Sequence, residues 1–147
     1  AHAWTERKDD TWNPNEWCIE WKFDGIRSQI IRREEQTWIW SRGEDEITKS
    51  FPDLLPFFEK LGNGTVIDGE ILVIKDSDIK SFQHLQKRLG RKKVPDATLK
   101  QYPAGFIAYD ILEFQGEDIR SRPLEDRKQK LKEVLSPLLS SSVRLSE

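Results

Sequence analysis

The 147 residues suffice for one domain with a real core, and 34% of them are charged against 36% hydrophobic. A net charge of −2 and a pI near 5.8 carry no global signature of nucleic-acid binding, so any basic surface is local. One cysteine excludes an internal disulfide and fits a reducing cytoplasm. Two histidines beside it offer no zinc constellation, and no apolar run of membrane-spanning length or secretory leader is visible.

Residues 1–16 are polar, with Trp4, Trp12 and an Asn-Pro-Asn turn signal, and are expected to form a lead-in with little regular structure. From there Trp17, Ile19, Trp21 and Phe23 alternate with Cys18, Glu20, Lys22 and Asp24. This period of two predicts a strand with one bulky apolar face and one polar face carrying Glu20 and Lys22. Asp24-Gly25 signals a turn, and Arg27 adds a nearby cation. A lysine is a nucleophile only when neutral. Lowering it by ~3 pH units from its ordinary value near ~10.4 costs about 4 kcal/mol, which desolvation and a neighbouring arginine can supply. Taken alone, K-x-D-G favours an ordinary exposed lysine on an amphipathic strand.

Residues 27–33 and 37–42 predict two further strands joined by a polar turn at Glu34-Glu35-Gln36, with Trp38, Trp40 and Arg42 on one face of the second. Ser41-Arg42-Gly43-Glu44-Asp45 by itself reads as a charged hairpin exit. Ser50 as N-cap, Pro52 in the first turn and Gly62 as stop predict a core-packing helix over roughly residues 51–61. Residues 64–74 are β-rich and interrupted by Asp68-Gly69-Glu70, either a hairpin turn or a buried strand carrying two carboxylates for a reason.

Ser81 opens a further predicted helix with Phe82, Leu85 and Leu89 at helical spacing and a glycine stop. Lys87, Arg88, Arg91, Lys92 and Lys93 run across that stop, a cluster that is usually a solvated face but is the one patch suited to a phosphate backbone. Residues 104–112 predict a strand with Phe106, Ala108 and Asp110 on one face and Ile107, Tyr109 and Ile111 on the other. Leu124, Leu131, Val134, Leu135 and Leu138 mark an amphipathic helix, and residues 143–145 begin one more strand.

Several of these stretches gain meaning together. E-x-K-x-D-G-x-R at residues 20–27 resembles the nucleotidyltransferase motif of ATP-dependent DNA ligases and mRNA capping enzymes. The Ser41–Asp45 stretch, V-I-D-G-E-I-L-V, F-x-x-L-Q-x-R-x-G-R-K, and F-x-x-Y-D-I-L with its later R-S-R-P-L-x-x-R resemble segments of bacterial ATP-dependent DNA ligases, in order across residues 17–135. The resemblance implies an α+β fold of antiparallel β-sheets forming a nucleotide cleft, with helices outside. It implies Lys22 as the adenylated nucleophile, Glu20 selecting adenine, Arg27 and Arg42 on phosphate and ribose, and Tyr109 stacking on adenine. Glu70 would hold ribose or a metal ion and Asp24 would support the metal, with ATP and Mg²⁺ as cofactors. Lys87, Arg88, Arg91, Lys92 and Lys93 would meet DNA. Glu20, Lys22, Arg42, Glu70 and Tyr109 are expected to converge in one pocket.

The later lysine strands and the OB-fold of relatives have no counterpart here, and Lys130-Leu131-Lys132 sits mid-helix rather than on their strand. With an alanine at position 1 and no methionine, the expectation is a lead-in (1–16) and a partial adenylation domain (17–147) that is incomplete for catalysis on its own. The whole protein is then expected to be a monomeric cytoplasmic, nucleoid-associated bacterial ligase of replication, repair or recombination. It would carry a C-terminal OB-fold, with or without an N-terminal DNA-binding domain, and would act on nicked duplex DNA away from membranes. An RNA ligase, a GTP-using capping enzyme and a non-catalytic nucleotide- or DNA-binding module are the alternative readings.

Overall fold

The computed structural model describes Asn13, residues 16–91 and residues 93–146. Seven strands form one sheet in the order β2-β1-β3-β5-β6, with β4 on β3 and β7 on β5. β1 (Ile26–Arg33), β2 (Gln36–Ser41), β3 (Thr65–Lys75), β4 (Asp78–Ile79), β5 (Ala104–Phe114) and β6 (Glu117–Asp118) pair antiparallel. β7 (Val143–Leu145) runs parallel to β5, so the sheet has one parallel edge. Four helices flank it: α1 (Leu55–Phe58), α2 (Phe82–Gln86), α3 (Asp96–Gln101) and α4 (Leu124–Leu135).

β3 is the axis of the sheet. The run Thr65–Lys75 continues straight through Asp68-Gly69-Glu70 without a turn, and residues 65–74 are all buried. Its odd positions Ile67, Ile71 and Val73 face the main core with Ile30, Ile39, Phe106, Ala108 and Ile111. Phe58 and Phe106 meet there edge to face, ring centroids 5.2 Å apart. Leu131 and Leu135 bring α4 onto this face. The even positions point to the other face, where Leu72 and Ile74 form a small cluster with Ile107 and Phe23. Gly69 allows the close approach of β5, because a Cβ there would lie 2.4 Å from both the Ile107 carbonyl and the Phe106 ring.

The structure departs from the sequence expectations in four places. Residues 17–24 form no regular element, and Trp17, Ile19 and Trp21 are 53%, 74% and 76% exposed. Alternation assigns faces, but a strand also needs a neighbour to complete its ladder, and no described strand lies alongside. The helix expected over 51–61 is the single turn Leu55–Phe58, since Pro52 and Pro56 remove N–H donors from this stretch. Its apolar residues are still buried: Phe51, Leu54 and Phe58 are inaccessible. Ser50 is no N-cap; its carbonyl instead accepts from Arg88. Finally, β5 changes phase. Asp68 faces Asp110 while Gly69 faces Ala108, so Tyr109 is an extra, bulged residue, and Ile111 joins Phe106 and Ala108 in the main core.

Candidate active site

The register of the three central strands builds the site. Across one row Arg27 on β1 lies opposite Glu70 on β3, and the amide of Arg42 donates to the Arg27 carbonyl at 2.9 Å. Across the next row Trp40, Gln29 and Asp68 are partners in turn. These positions share the open face of the sheet, because opposed residues in an antiparallel pair project to the same side.

Glu70 is the hub. It is 8% exposed, and both oxygens accept hydrogen bonds: Oε1 from the amide of Gly25 at 3.1 Å and Oε2 from the hydroxyl of Tyr109 at 2.7 Å. The bulge at Tyr109 brings the phenol into reach. Burial pushes the Glu70 carboxyl above its ordinary value, against the pull of the Tyr109 hydroxyl and the Gly25 amide. Burial, then the bond to Glu70, pushes the Tyr109 phenol far up, so it stays a donor. Gly25 reaches Glu70 only because it has no side chain; a Cβ there would sit 2.3 Å from the Ile71 carbonyl.

Arg27 leans across to Asp68, with Nη2 at 2.7 Å from Oδ2 and Nε at 3.3 Å from the same oxygen, and this bond raises its affinity for the proton. Beside it lies an open cleft of about 810 Å³ whose lining includes Arg27, Gln29, Trp40, Arg42 and Asp68. Glu70 and Tyr109 flank this cleft rather than line it.

Of the sequence-predicted site residues, Arg27, Arg42, Glu70 and Tyr109 thus come together on one face. Lys22 is exposed and bonds to no described group, three residues before Gly25 and so within roughly 11 Å of it along the chain. The hydrophobic wall expected around it is missing, since Trp21 is largely exposed. Asp24 is exposed next to Gly25. Glu20 does not join the pocket: it is ion-paired with Lys128 on α4. The expected five-residue convergence is therefore only partial.

The basic run also divides. Lys87, Arg91 and Lys93 are exposed, and Lys92 lies outside the described residues. Arg88 is corrected from a DNA contact to an internal clasp. It is fully buried, donates to Asp53 at 2.8 Å, to the Ser50 carbonyl at 2.8 Å and to the Tyr102 carbonyl at 3.0 Å, and lies over the Phe51 ring. The helical spacing of Leu85 and Leu89 could have pointed to this, because position 88 falls on the same side of the turn.

Sequence reasoning passed over Asp68, although the D-G-E run already sets it on the face of Glu70. It also passed over Lys128, for which no local signal exists. Among the described residues, no group of three or more His, Cys, Asp or Glu side chains is arranged to hold a metal ion. No helix among them is long and apolar enough to cross a membrane.

Comparison with known proteins places these features in context. Residues 5–146 match the family model described as ATP dependent DNA ligase domain. A probable DNA ligase of Koribacter versatilis is 37% identical over 118 residues, covering 80% of this chain and 20% of the relative. A DNA ligase of Sulfurisphaera tokodaii is 30% identical over 123 residues, again covering 20% of the relative. The chain thus spans about one fifth of the length of these relatives. Among solved structures, the ligase domain of LigD from M. tuberculosis superimposes with a TM-score of 0.65 at 25% identity, over 86% of this chain and 38% of that one. A mycobacterial DNA ligase D complexed with ATP and MES gives 0.60 at 25% identity, with the same coverage.

Proposed function

The chain belongs to the ATP-dependent DNA ligase domain family, and from that premise we propose that it is the nucleotide-binding part of an enzyme that seals nicks in duplex DNA through a lysyl-AMP intermediate. The observation that carries the reading is the row Arg42–Arg27–Glu70 on the open face of the sheet, with the Tyr109 hydroxyl on Glu70 and the Gly25 amide tying the Lys22 segment to the same carboxylate.

Phosphoryl transfer demands positioning and charge neutralisation above all. In the first step the Nζ lone pair of Lys22 attacks the α-phosphorus of ATP. The bond to the bridging oxygen breaks, pyrophosphate leaves with that electron pair, and the amine gives up a proton. An oxygen of the 5′-phosphate at the nick next attacks the AMP phosphorus, the P–N bond to Lys22 breaks and the amine regains a proton. The 3′-hydroxyl then attacks the 5′-phosphate, giving up its proton, and AMP leaves as the new phosphodiester forms. Arg27 and Arg42 suit phosphate oxygens through the planar guanidinium, Arg27 being oriented by Asp68. Tyr109 offers its ring to the base while its hydroxyl fixes Glu70. Glu20 is assigned to adenine selection, which requires it to exchange Lys128 for the base.

Mg²⁺ fits this donor set only as an ion held largely by phosphate oxygens and water, the usual mode for this cation. Glu70 and Asp24 are the carboxylates that would meet it, while Asp68 is neutralised by Arg27. Bound there, it would offset charge on the phosphates. Lys87, Arg91, Lys92 and Lys93 are the proposed DNA contacts. A monomer carrying a C-terminal OB-fold is the proposed setting.

The test is incubation with α-labelled ATP and Mg²⁺, followed by denaturing mass analysis. An AMP adduct on Lys22 that is absent from Lys22→Ala supports the reading. An adduct on another lysine, or none even on a chain carrying the remaining ligase segments, rejects it.

A further inference from the structure

Trp40 stands at the edge of the same open face. It ends the row Trp40–Gln29–Asp68 and lines the cleft beside Arg42, two residues on along the same strand face and so about 7 Å away. Its backbone is paired on both sides, with Gln29 of β1 and with Glu46, and neighbouring bonds run from the Ile47 amide to the Ile39 carbonyl and from the Ser41 amide to the Asp45 carbonyl. Its side chain, by contrast, is 39% exposed and makes no ring contact, cation–π contact or hydrogen bond with a described residue. A large aromatic held by its backbone, uncommitted by its ring, is an unusual thing to leave at a cleft surface, since such rings are normally packed or bonded through the indole N–H.

We propose that Trp40 is a nucleic-acid-positioning residue: its indole is a stacking platform for a base or deoxyribose of the DNA strand whose phosphate Arg42 receives. The deduction rests on the ligase reading above and adds a specific subsite to it. The chemistry of the cleft selects a nucleotide as the occupant. Arg42 and the amide of Gln29 are exposed and have no side-chain partner among the described residues, and the Trp40 N–H adds a third donor. The acceptor Asp68 is already engaged by Arg27, which leaves Glu44 on the rim as the one uncommitted carboxylate of the lining. Donors clustered beside a π-face one nucleotide away match a phosphate followed by a base, whereas an acidic peptide would leave the aromatic surface without a partner.

The test is fluorescence anisotropy of a labelled nicked duplex titrated with the chain across a salt series. Trp40→Ala is expected to weaken binding roughly 5- to 150-fold, the range for loss of one stacked base, and Trp40→Phe to recover most of it. Because stacking releases no counterions, the slope of log affinity against log salt stays at its parent value in Trp40→Ala, while Arg42→Ala reduces it by about 0.9. Trp40→Leu, which keeps apolar cover without a π-face, serves if the alanine variant does not fold, and is expected to bind as weakly. Parent affinity in Trp40→Ala or Trp40→Leu, with Arg42→Ala weakened, overturns the stacking role and leaves the ligase reading standing. A salt slope that falls equally in both variants overturns it too, as general damage to the cleft. A parent chain that leaves the anisotropy flat overturns both this subsite and the assignment of DNA to this face.

Discussion

Glu70 sits 8% exposed with both oxygens bonded, whereas Lys22, closely preceding the glycine that bonds it, is exposed and touches no described group. The two belong to regions built differently. At the centre of the sheet, β1, β3 and β5 fix the backbone by register, a bulge aims Tyr109, and the ion pair with Asp68 orients Arg27. In the lead segment 16–24, placement comes from Phe23 on a small apolar cluster, Glu20 on Lys128 and the Gly25 amide on Glu70. The proposed binding face is thus preorganised by strand pairing, while the proposed nucleophile is carried by a segment tethered at a few points. The proposed reaction, in which one lysine first meets a mononucleotide and then a DNA end, suits that division of labour.

The sheet region should break hardest. Arg88→Ala removes the clasp that ties α2 to the Ser50–Asp53 turn and to the entry of β5, where Asp53 also receives the Ala104 amide. Loss of one partner from a buried pair costs about 3–5 kcal/mol, to be read as a drop in the urea midpoint. Tyr109→Phe should cost less, roughly 1–3 kcal/mol at neutral pH, as a hydrogen bond to a charged acceptor is lost. It should also raise the Glu70 titration midpoint seen by NMR, because a donor favouring the carboxylate is gone.

The pH dependence sharpens the same point. The Glu70 carboxyl titrates higher in the folded chain than unfolded, so between the two values the folded state holds the extra proton and stability falls as pH rises. Glu70→Gln should remove this acid-side slope from the urea midpoint measured against pH. The smallest effect belongs to the lead segment. Lys128→Ala breaks a partly exposed ion pair and should change stability by less than about 1 kcal/mol, yet speed amide exchange across residues 16–24.

How much was legible in the sequence follows the same boundary. The β character of β3 was legible in its long β-branched run, but the choice between a turn and a continuous strand at D-G-E stayed open until the pairing with β1 and β5 settled it. Arg27, Arg42 and Tyr109 were singled out through the motif resemblance, and the structure sets them on one face with Glu70. What failed depended on partners distant in the chain. The alternation of residues 17–24 is a strand pattern without a described neighbour to pair with. The phase of β5 was misread because the bulge at Tyr109 arises from pairing with β3, which no local pattern encodes. Arg88 looked like one cation among five until Asp53, thirty-five residues earlier, gave it a buried partner. Glu20 could not be placed without Lys128, which lies 108 residues away.

The proposed nucleotide seat is preformed on the open face of the sheet, independent of how the lead segment lies. The most direct measurement is an ATP titration of the labelled chain followed by backbone amide NMR. Saturable shifts concentrated at Arg27, Arg42, Glu70 and Tyr109, retained in Lys22→Ala, are expected. Shifts confined to the α4 surface around Glu125 and Lys128, or a sheet that does not respond to ATP at all, would contradict it.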